Sequence, residues 1–313
     1  MTNSTDQKST ITNGKRRSNL AKGCLCALGC ETLYGLSYIF TKQATGEASA
    51  VSLLGWRFVV ALAVMSLCIF TGLVKVELRG GKIRPALLAA LCCPVLYFTG
   101  ETLGIHYTTA SESGVFLACI PVASLVASVL ILRKKPSKLQ VAGILLTLCG
   151  VLITVWTLGT TSSLSLTGYF FLSTAVVSYA LYSVSVEKAS GYGGIGITYV
   201  MLIAGAAAFG ALAVVEALSS GNIKSLLLLP LTDPNFLKAV LYQGIGCSII
   251  AFFLANEAIA RIGVNRASSF IGIATVVSIL SGSLLLHGPF SVWQMVGAII
   301  IITGVFLANI SSA

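Results

Sequence analysis

Hydrophobic positions along this chain gather into ten long runs separated by short polar punctuation. They cover roughly residues 22 to 41, 50 to 72, 85 to 106, 110 to 132, 139 to 157, 167 to 187, 195 to 218, 237 to 260, 264 to 286 and 290 to 309. Each is about 20 residues long, the length an α-helix needs to cross the hydrocarbon of a bilayer. Connections are short except for a basic loop over 73 to 84 and the stretch 219 to 236, where Leu226 to Leu229, then Pro230 and Pro234, suggest an interfacial segment. The first 19 residues are rich in Ser, Thr, Asn and Lys and too poor in apolar groups to bury a core, so a disordered cytoplasmic tail is expected over 1–19. The pattern predicts an all-α polytopic membrane protein of ten transmembrane helices.

The pattern also repeats. A 55-residue stretch recurs without gaps 154 positions on: Gln140 falls on Gln294, Gly143 on Gly297, Gly150 on Gly304, Val151 on Val305, Phe116 on Phe270, Ser124 on Ser278 and Leu132 on Leu286. Two copies of a five-helix unit follow, over 20–157 and 167–313, joined by a short outer loop over 158–166. Because each copy holds an odd number of spans, the second is expected upside down relative to the first. Inverted repeats of this kind are common in secondary transporters, with the substrate between the halves near the bilayer midplane.

Composition agrees: 56% of residues are hydrophobic, 10% are charged and mean hydropathy is +0.93, where a soluble domain would carry about 25% charged residues. Of the 20 Lys and Arg, all but Lys42, Arg57, Lys224 and Lys238 fall on one side if both termini are cytoplasmic. The positive-inside rule therefore orients the chain as a multi-pass cell-membrane protein with both ends inside, and Trp56, Trp156 and Trp293 then sit at outer helix ends, where aromatic belts form. The net charge of +10 is explained by loops facing anionic lipid headgroups, with no folded basic domain to grip nucleic acid.

Candidate chemistry is sparse. The nine cysteines all lie in predicted spans and read as packing residues. The glycines 191, 193, 194 and 196 follow no strand, so they form no phosphate loop. His106 and His287 are too few for a histidine metal site. No enzyme motif, cofactor or metal set emerges.

Ionisable residues inside spans carry more meaning, since burying a charge in hydrocarbon costs at least about 2.5–3.5 kcal/mol. Glu31 sits near the middle of the first span, with Tyr34 and Tyr38 following at helical spacing. It is either a proton-titrating or cation-contacting group or a hydrogen-bonded carboxyl. Arg57, Glu101 and Glu112 fall at similar depth in the second, third and fourth spans, which suggests an ion pair of Arg57 with Glu101 or Glu112, or contact of Arg57 with substrate. Glu257 and Arg261 stand four apart, a spacing for a surface pair. Pro94 and Pro121 interrupt the third and fourth spans, and Gly244 and Gly246 loosen the eighth, as hinge positions. Gly143, Gly150, Gly297 and Gly304 are spaced for close packing of the fifth and tenth spans.

The run from Tyr107 through Thr-Thr-Ala-Ser-Glu-Ser-Gly-Val-Phe-Leu-Ala-Cys-Ile to Pro121, with Gln140-Val-Ala-Gly143 and Gly150-Val151, resembles the EamA-type domain of the drug/metabolite transporter superfamily. So do Tyr34-Gly35, Trp56-Arg57-Phe58, Asn265-Arg-Ala-Ser268 and Gln294-Met-Val-Gly297, a similarity spanning about residues 22 to 309. The resemblance implies two inverted five-helix repeats that move small metabolites, often amino acids or related compounds, or drugs, across the inner membrane, frequently outward. Members usually end helices 4 and 9 with Gly-Glu; here those places hold Arg133-Lys134 and His287-Gly288.

The reading is a secondary carrier that works by alternating access around a pocket lined by Glu31, Tyr34, Tyr38, Tyr97, Tyr179, Tyr182 and Asn256. The tyrosines suit amphiphilic or aromatic metabolites. Protons are a candidate coupling ion through Glu31, passive transport stays open, and a homodimer is admitted. The competing classes, a channel-like facilitator or a membrane interaction protein, call for a continuous polar stripe or a sizeable exposed domain.

Overall fold

The protein is described from a computed structural model covering residues 3–44, 48–76, 83–156, 163–189, 191–286 and 291–310. The first half comprises α1 (Asn3–Ala44), α2 (Ala50–Phe70), α3 (Ile83–Ala90), a π-helical segment (Leu91–Leu96), α4 (Tyr97–Tyr107), α5 (Ala110–Ala118), α6 (Ile120–Leu132) and α7 (Lys138–Trp156). The second comprises α8 (Leu166–Lys188), α9 (Gly194–Ser219), α10 (Ile223–Thr232), α11 (Pro234–Leu241), a second π-helical segment (Tyr242–Ala251), α12 (Phe252–Ile262), α13 (Val264–Ser269), α14 (Ile271–Leu286) and α15 (Val292–Asn309). No strand occurs among the described residues.

Nine helical stretches among the described residues are long and apolar enough to cross a bilayer, from Ala50–Phe70 to Val292–Asn309. Their ends agree with the hydropathy pattern to within about three residues. The first expected span, 22 to 41, is not among these nine; it lies inside α1. That helix also runs back through residues 3 to 19, where the sequence suggested disorder. Once a helix is nucleated, each added residue needs only propagation, so a polar stretch can continue one it could not start.

Short polar sequences set the helix ends. Ser49 accepts from the Ser52 amide at the start of α2, and Ser165 accepts from that of Gly168 at the start of α8. Thr109 with Glu112 and Ser291 with Gln294 form capping boxes at α5 and α15. Gly263 stops α12 at φ 78°.

The most extensive packing is between α7 and α15, followed by α2 against α9. Helix α1 packs against α12 and α14, and α8 packs against α4 and α6. Exchanging the two halves exchanges these partners, the relation expected of two copies of one unit. Between α7 and α15 the glycines bring backbone against backbone: a Cβ on Gly143 would stand 2.6 Å from the Gly304 carbonyl oxygen, and one on Gly150 would stand 2.8 Å from that of Gly297. The centre is aromatic, with Phe58 touching Phe98, Phe209 and Phe252 at 5.5 to 6.2 Å between ring centroids. Large apolar residues such as Leu67, Phe70, Leu130, Val177 and Ile299 face outward, as lipid contact requires.

Corresponding spans are broken at the same place. Cys93 lies within Leu91–Leu96 at φ −139°, ψ 119°, ahead of Pro94, whose nitrogen has no hydrogen to donate. Cys247, 154 positions on, lies within Tyr242–Ala251 together with Gly244 and Gly246. The fourth span breaks at Cys119, and Pro121 occupies the first turn of α6, where a missing N–H leaves no bond unmade.

Candidate functional site

Where α1, α8 and α12 meet, Glu31 (6% exposed) reaches a cavity lined also by Cys30, Tyr179, Ser183, Ala255 and Ser268. Its volume is about 10 Å³, room for about one water. The Cys30 sulfur lies 3.9 Å from Glu31 Oε1. Small residues, Ala27 of α1, Ala255 and Ala258 of α12 and Ala267 of α13, let the helices close around the carboxyl.

From this cavity a file of aromatic rings runs sideways. Tyr179 contacts Tyr182 at 5.4 Å and Tyr97 at 5.5 Å between centroids, and Tyr97 contacts Phe98 at 5.0 Å. Tyr34 packs beside Cys30, Ala251 and Ala255. It holds the same place in the first half as Tyr179 in the second, Tyr34-Gly35-Leu36 answering Tyr179-Ala180-Leu181. Glu31, Tyr34, Tyr97 and Tyr179 are thus brought together, while the side chain of Tyr38 lies outside the described residues.

Tyr182 and Asn256 take a different part from the one the sequence suggested. The Tyr182 hydroxyl donates to Asn256 Oδ1 at 2.8 Å, and Asn256 Nδ2 donates to Thr198 Oγ1 at 3.0 Å. Both side chains are buried, and α12 presents Ala255, Ala258 and Ile259 to the cavity instead of Asn256. The amide ties α8, α9 and α12 together, with both of its polar ends engaged.

The ion pair suggested for Arg57 with Glu101 or Glu112 is not formed among the described residues. Arg57 Nε donates to Ser248 Oγ at 2.7 Å, and the guanidinium lies over the rings of Phe98 at 4.7 Å and Phe58 at 5.2 Å. Among the described residues no carboxylate pairs with it, and its Nη2 has no hydrogen-bond partner. Glu101 accepts instead from the Tyr97 hydroxyl at 2.9 Å. Glu112 serves the Thr109 capping box and accepts from Ser163 and Tyr169, joining α5 to the start of α8. Equal depth in the bilayer does not fix which way a side chain points around its helix.

Arg261 Nη2 stands 2.7 Å from Glu257 Oε2, and Glu257 Oε1 accepts from the Gly194 amide at 3.2 Å. Gly244 lets the second π-helical segment approach α2, since a Cβ there would lie 3.0 Å from the Arg57 carbonyl oxygen. A Cβ on Gly246 would meet only ordinary contact, with the Tyr242 ring at 3.8 Å.

Other contacts were not foreseen. Ser248 positions Arg57 from the far half of the chain. Glu187 pairs with Lys134 and accepts from the Val264 amide at 2.9 Å, linking α6, α8 and α13 at one end of the bundle. No local spacing signals either, because each partner comes from a different helix.

A model of the EamA-like transporter family matches residues 21–156 and 166–310, one match per half. The uncharacterized transporter YcxC of Bacillus subtilis (strain 168) is 29% identical over 281 residues, covering 89% of this chain and 90% of its own. The uncharacterized transporter YyaM of the same organism is 28% identical over 292 residues, covering 90% and 92%. One crystal structure superposes with a TM-score of 0.74 over 92% of this chain and 96% of its own at 18% identity, a likeness of fold.

Proposed function

This chain belongs to the EamA-like transporter family, and on that premise we propose that it is a secondary transporter that exports small metabolites by alternating access between two inverted halves. The observation that carries this reading is the matched pair of π-helical segments, Leu91–Leu96 and Tyr242–Ala251, which break corresponding spans beside the cluster of buried Glu31 and half-buried Tyr34, Tyr97 and Tyr179. Breaks of this kind allow a helix to bend at the depth of a central site. The cavity of about 10 Å³ is far smaller than a metabolite, so this is a closed arrangement in which the pocket forms only when the halves rock apart.

Both termini lie in the cytoplasm in this reading, as the basic loops require. Glu31 is the carboxyl that meets the cavity, and it takes a proton or a cationic group of the cargo there. The tyrosines offer flat apolar faces with hydroxyl tips, suited to amphiphilic or aromatic cargo.

The test is untargeted mass spectrometry of the medium from cells overproducing the wild type or Glu31→Ala. A compound class released only by the wild type is the expected result. A medium unchanged by wild-type overproduction would sink the exporter reading. Glu31→Gln then separates drive from binding: if it keeps the full pH dependence of release, protons do not couple through Glu31.

A further inference from the structure

Among the described residues Arg57 is a buried cation with no carboxylate in ion-pair reach, Glu101 acting on it only over a longer distance. It is 6% exposed, with a serine hydroxyl on Nε and two phenylalanine faces against the guanidinium. A neutral hydroxyl and two rings lessen the penalty of burying a cation without cancelling it, and a well-packed apolar side chain would be at least as stable in its place. Charges retained at such depth mark the path of a substrate or ion.

Its setting is built from the moving parts. Ser248 belongs to one π-helical segment, and Phe98 stands two residues past the end of the other. Gly244 opens the space that brings the second segment against the Arg57 backbone. From Phe98 the rings of Tyr97 and Tyr179 lead to the cavity at Glu31. Ser248 holds the Nε edge and leaves Nη2 free, so the guanidinium has an oriented donor for an anion.

We propose that Arg57 anchors the carboxylate of an organic anion whose apolar or aromatic body lies along Phe98, Tyr97 and Tyr179. This rests on the transporter reading of the same centre and adds the class of cargo. One guanidinium in an aromatic, water-poor setting matches a singly charged carboxylate; a phosphate, with nearly twice the charge, calls for a cluster of cations. The free donor becomes reachable when the two π-helical segments part, and binding there favours the open arrangement.

Binding is measured on the purified full chain in lipid nanodiscs, with benzoate as the probe and benzamide and benzylamine as its neutral and cationic counterparts of similar size. Benzoate is expected to raise the unfolding temperature of the wild type, and the other two are not. Arg57→Met should bind benzoate about 30-fold or more weakly, with Arg57→Lys, which keeps the charge without the planar fork, between them. Without ligand, Arg57→Met should unfold no earlier than the wild type, because an uncompensated charge has been removed. Should Arg57→Met fail to fold, Arg57→Lys and Ser248→Ala carry the comparison, the latter expected to weaken benzoate several-fold while leaving the charge in place.

No response to benzoate, an equal response to benzamide, or a benzoate response unchanged in the Arg57 variants each overturns the proposal. A protein that binds benzoate through Arg57 but releases no metabolite would instead refute the transporter reading alone.

Discussion

Replacing Gly143 by Ala tests whether the α7–α15 contact is as close as it looks. The added Cβ would run first into the Ala308 backbone nitrogen, and would stand 2.6 Å from the Gly304 carbonyl oxygen and 2.8 Å from Ala308 Cα. Ordinary contact begins at about 3.4 Å, so the helices must part by roughly 0.8–1 Å, and a gap of that size forfeits about a quarter to a half of the dispersion well of each facing atom pair. Ile144, Val151, Ile301 and Val305 are buried along this seam and lose that contact together. The cost should be about 1–3 kcal/mol, the usual range for overpacking a tight interior. Gly282→Ala in α14 is the control: nothing lies within 4 Å of its added Cβ, so the better helix propensity of Ala should stabilise by up to about 1 kcal/mol. Gly304→Ala meets the Gly143 carbonyl oxygen in return at 2.7 Å. One widening then relieves both clashes, and the double variant should lose less than the sum of the singles. The assay is thermal unfolding in one detergent, read as loss of the monodisperse size-exclusion peak. A Gly143→Ala protein melting at or above Gly282→Ala would refute the reasoning.

Asn256→Ala removes two hydrogen bonds and orphans the Tyr182 hydroxyl, while Thr198 keeps its bond to the Gly194 carbonyl oxygen; it should cost about 2 kcal/mol or more, whereas Tyr182→Phe removes one bond and should cost about 1 kcal/mol, and equal melting temperatures for the two would contradict the tether between α8, α9 and α12. Glu112→Gln can still close the capping box at Thr109 and should lose less than about 1 kcal/mol, while Glu112→Ala also gives up Ser163 and Tyr169 and should lose about 1–3 kcal/mol. Thermal denaturation of the pair decides, and indistinguishable curves would show that Glu112 holds nothing at the start of α8.

Much of the architecture was legible because the bilayer makes span length and polarity nearly decisive. The eighth span, expected over 237 to 260, is found within Pro234–Ile262, and the glycine spacing of the fifth and tenth spans pointed correctly to the contact of α7 with α15. The site was only half legible. Depth can be counted along a sequence, which is how Glu31 and the tyrosines came to be grouped. Azimuth depends on which helices become neighbours, and there the sequence was silent: Arg57 turned to Phe98 and Ser248, and Asn256 turned to Tyr182 and Thr198. Pro94 marked a break in the third span. The break in the fourth falls at Cys119, two residues before Pro121, because proline is compatible with the start of a helix and disrupts what precedes it.

The π-helical run Tyr242–Ala251 makes the winding of the backbone itself a part of the site. A π turn holds more residues than an α turn, and in an α-helix each residue advances the direction of the side chains by about 100°. Were this stretch to rewind as an ordinary helix with its residue count unchanged, the residue that the wider turn takes up would turn everything beyond it by about that angle. Asn256 would then face away from Tyr182 and Thr198, and Ala255 and Ala258 would leave the cavity at Glu31. Substitutions within the run that favour α over π winding would therefore move Asn256 and the two alanines without touching any of them.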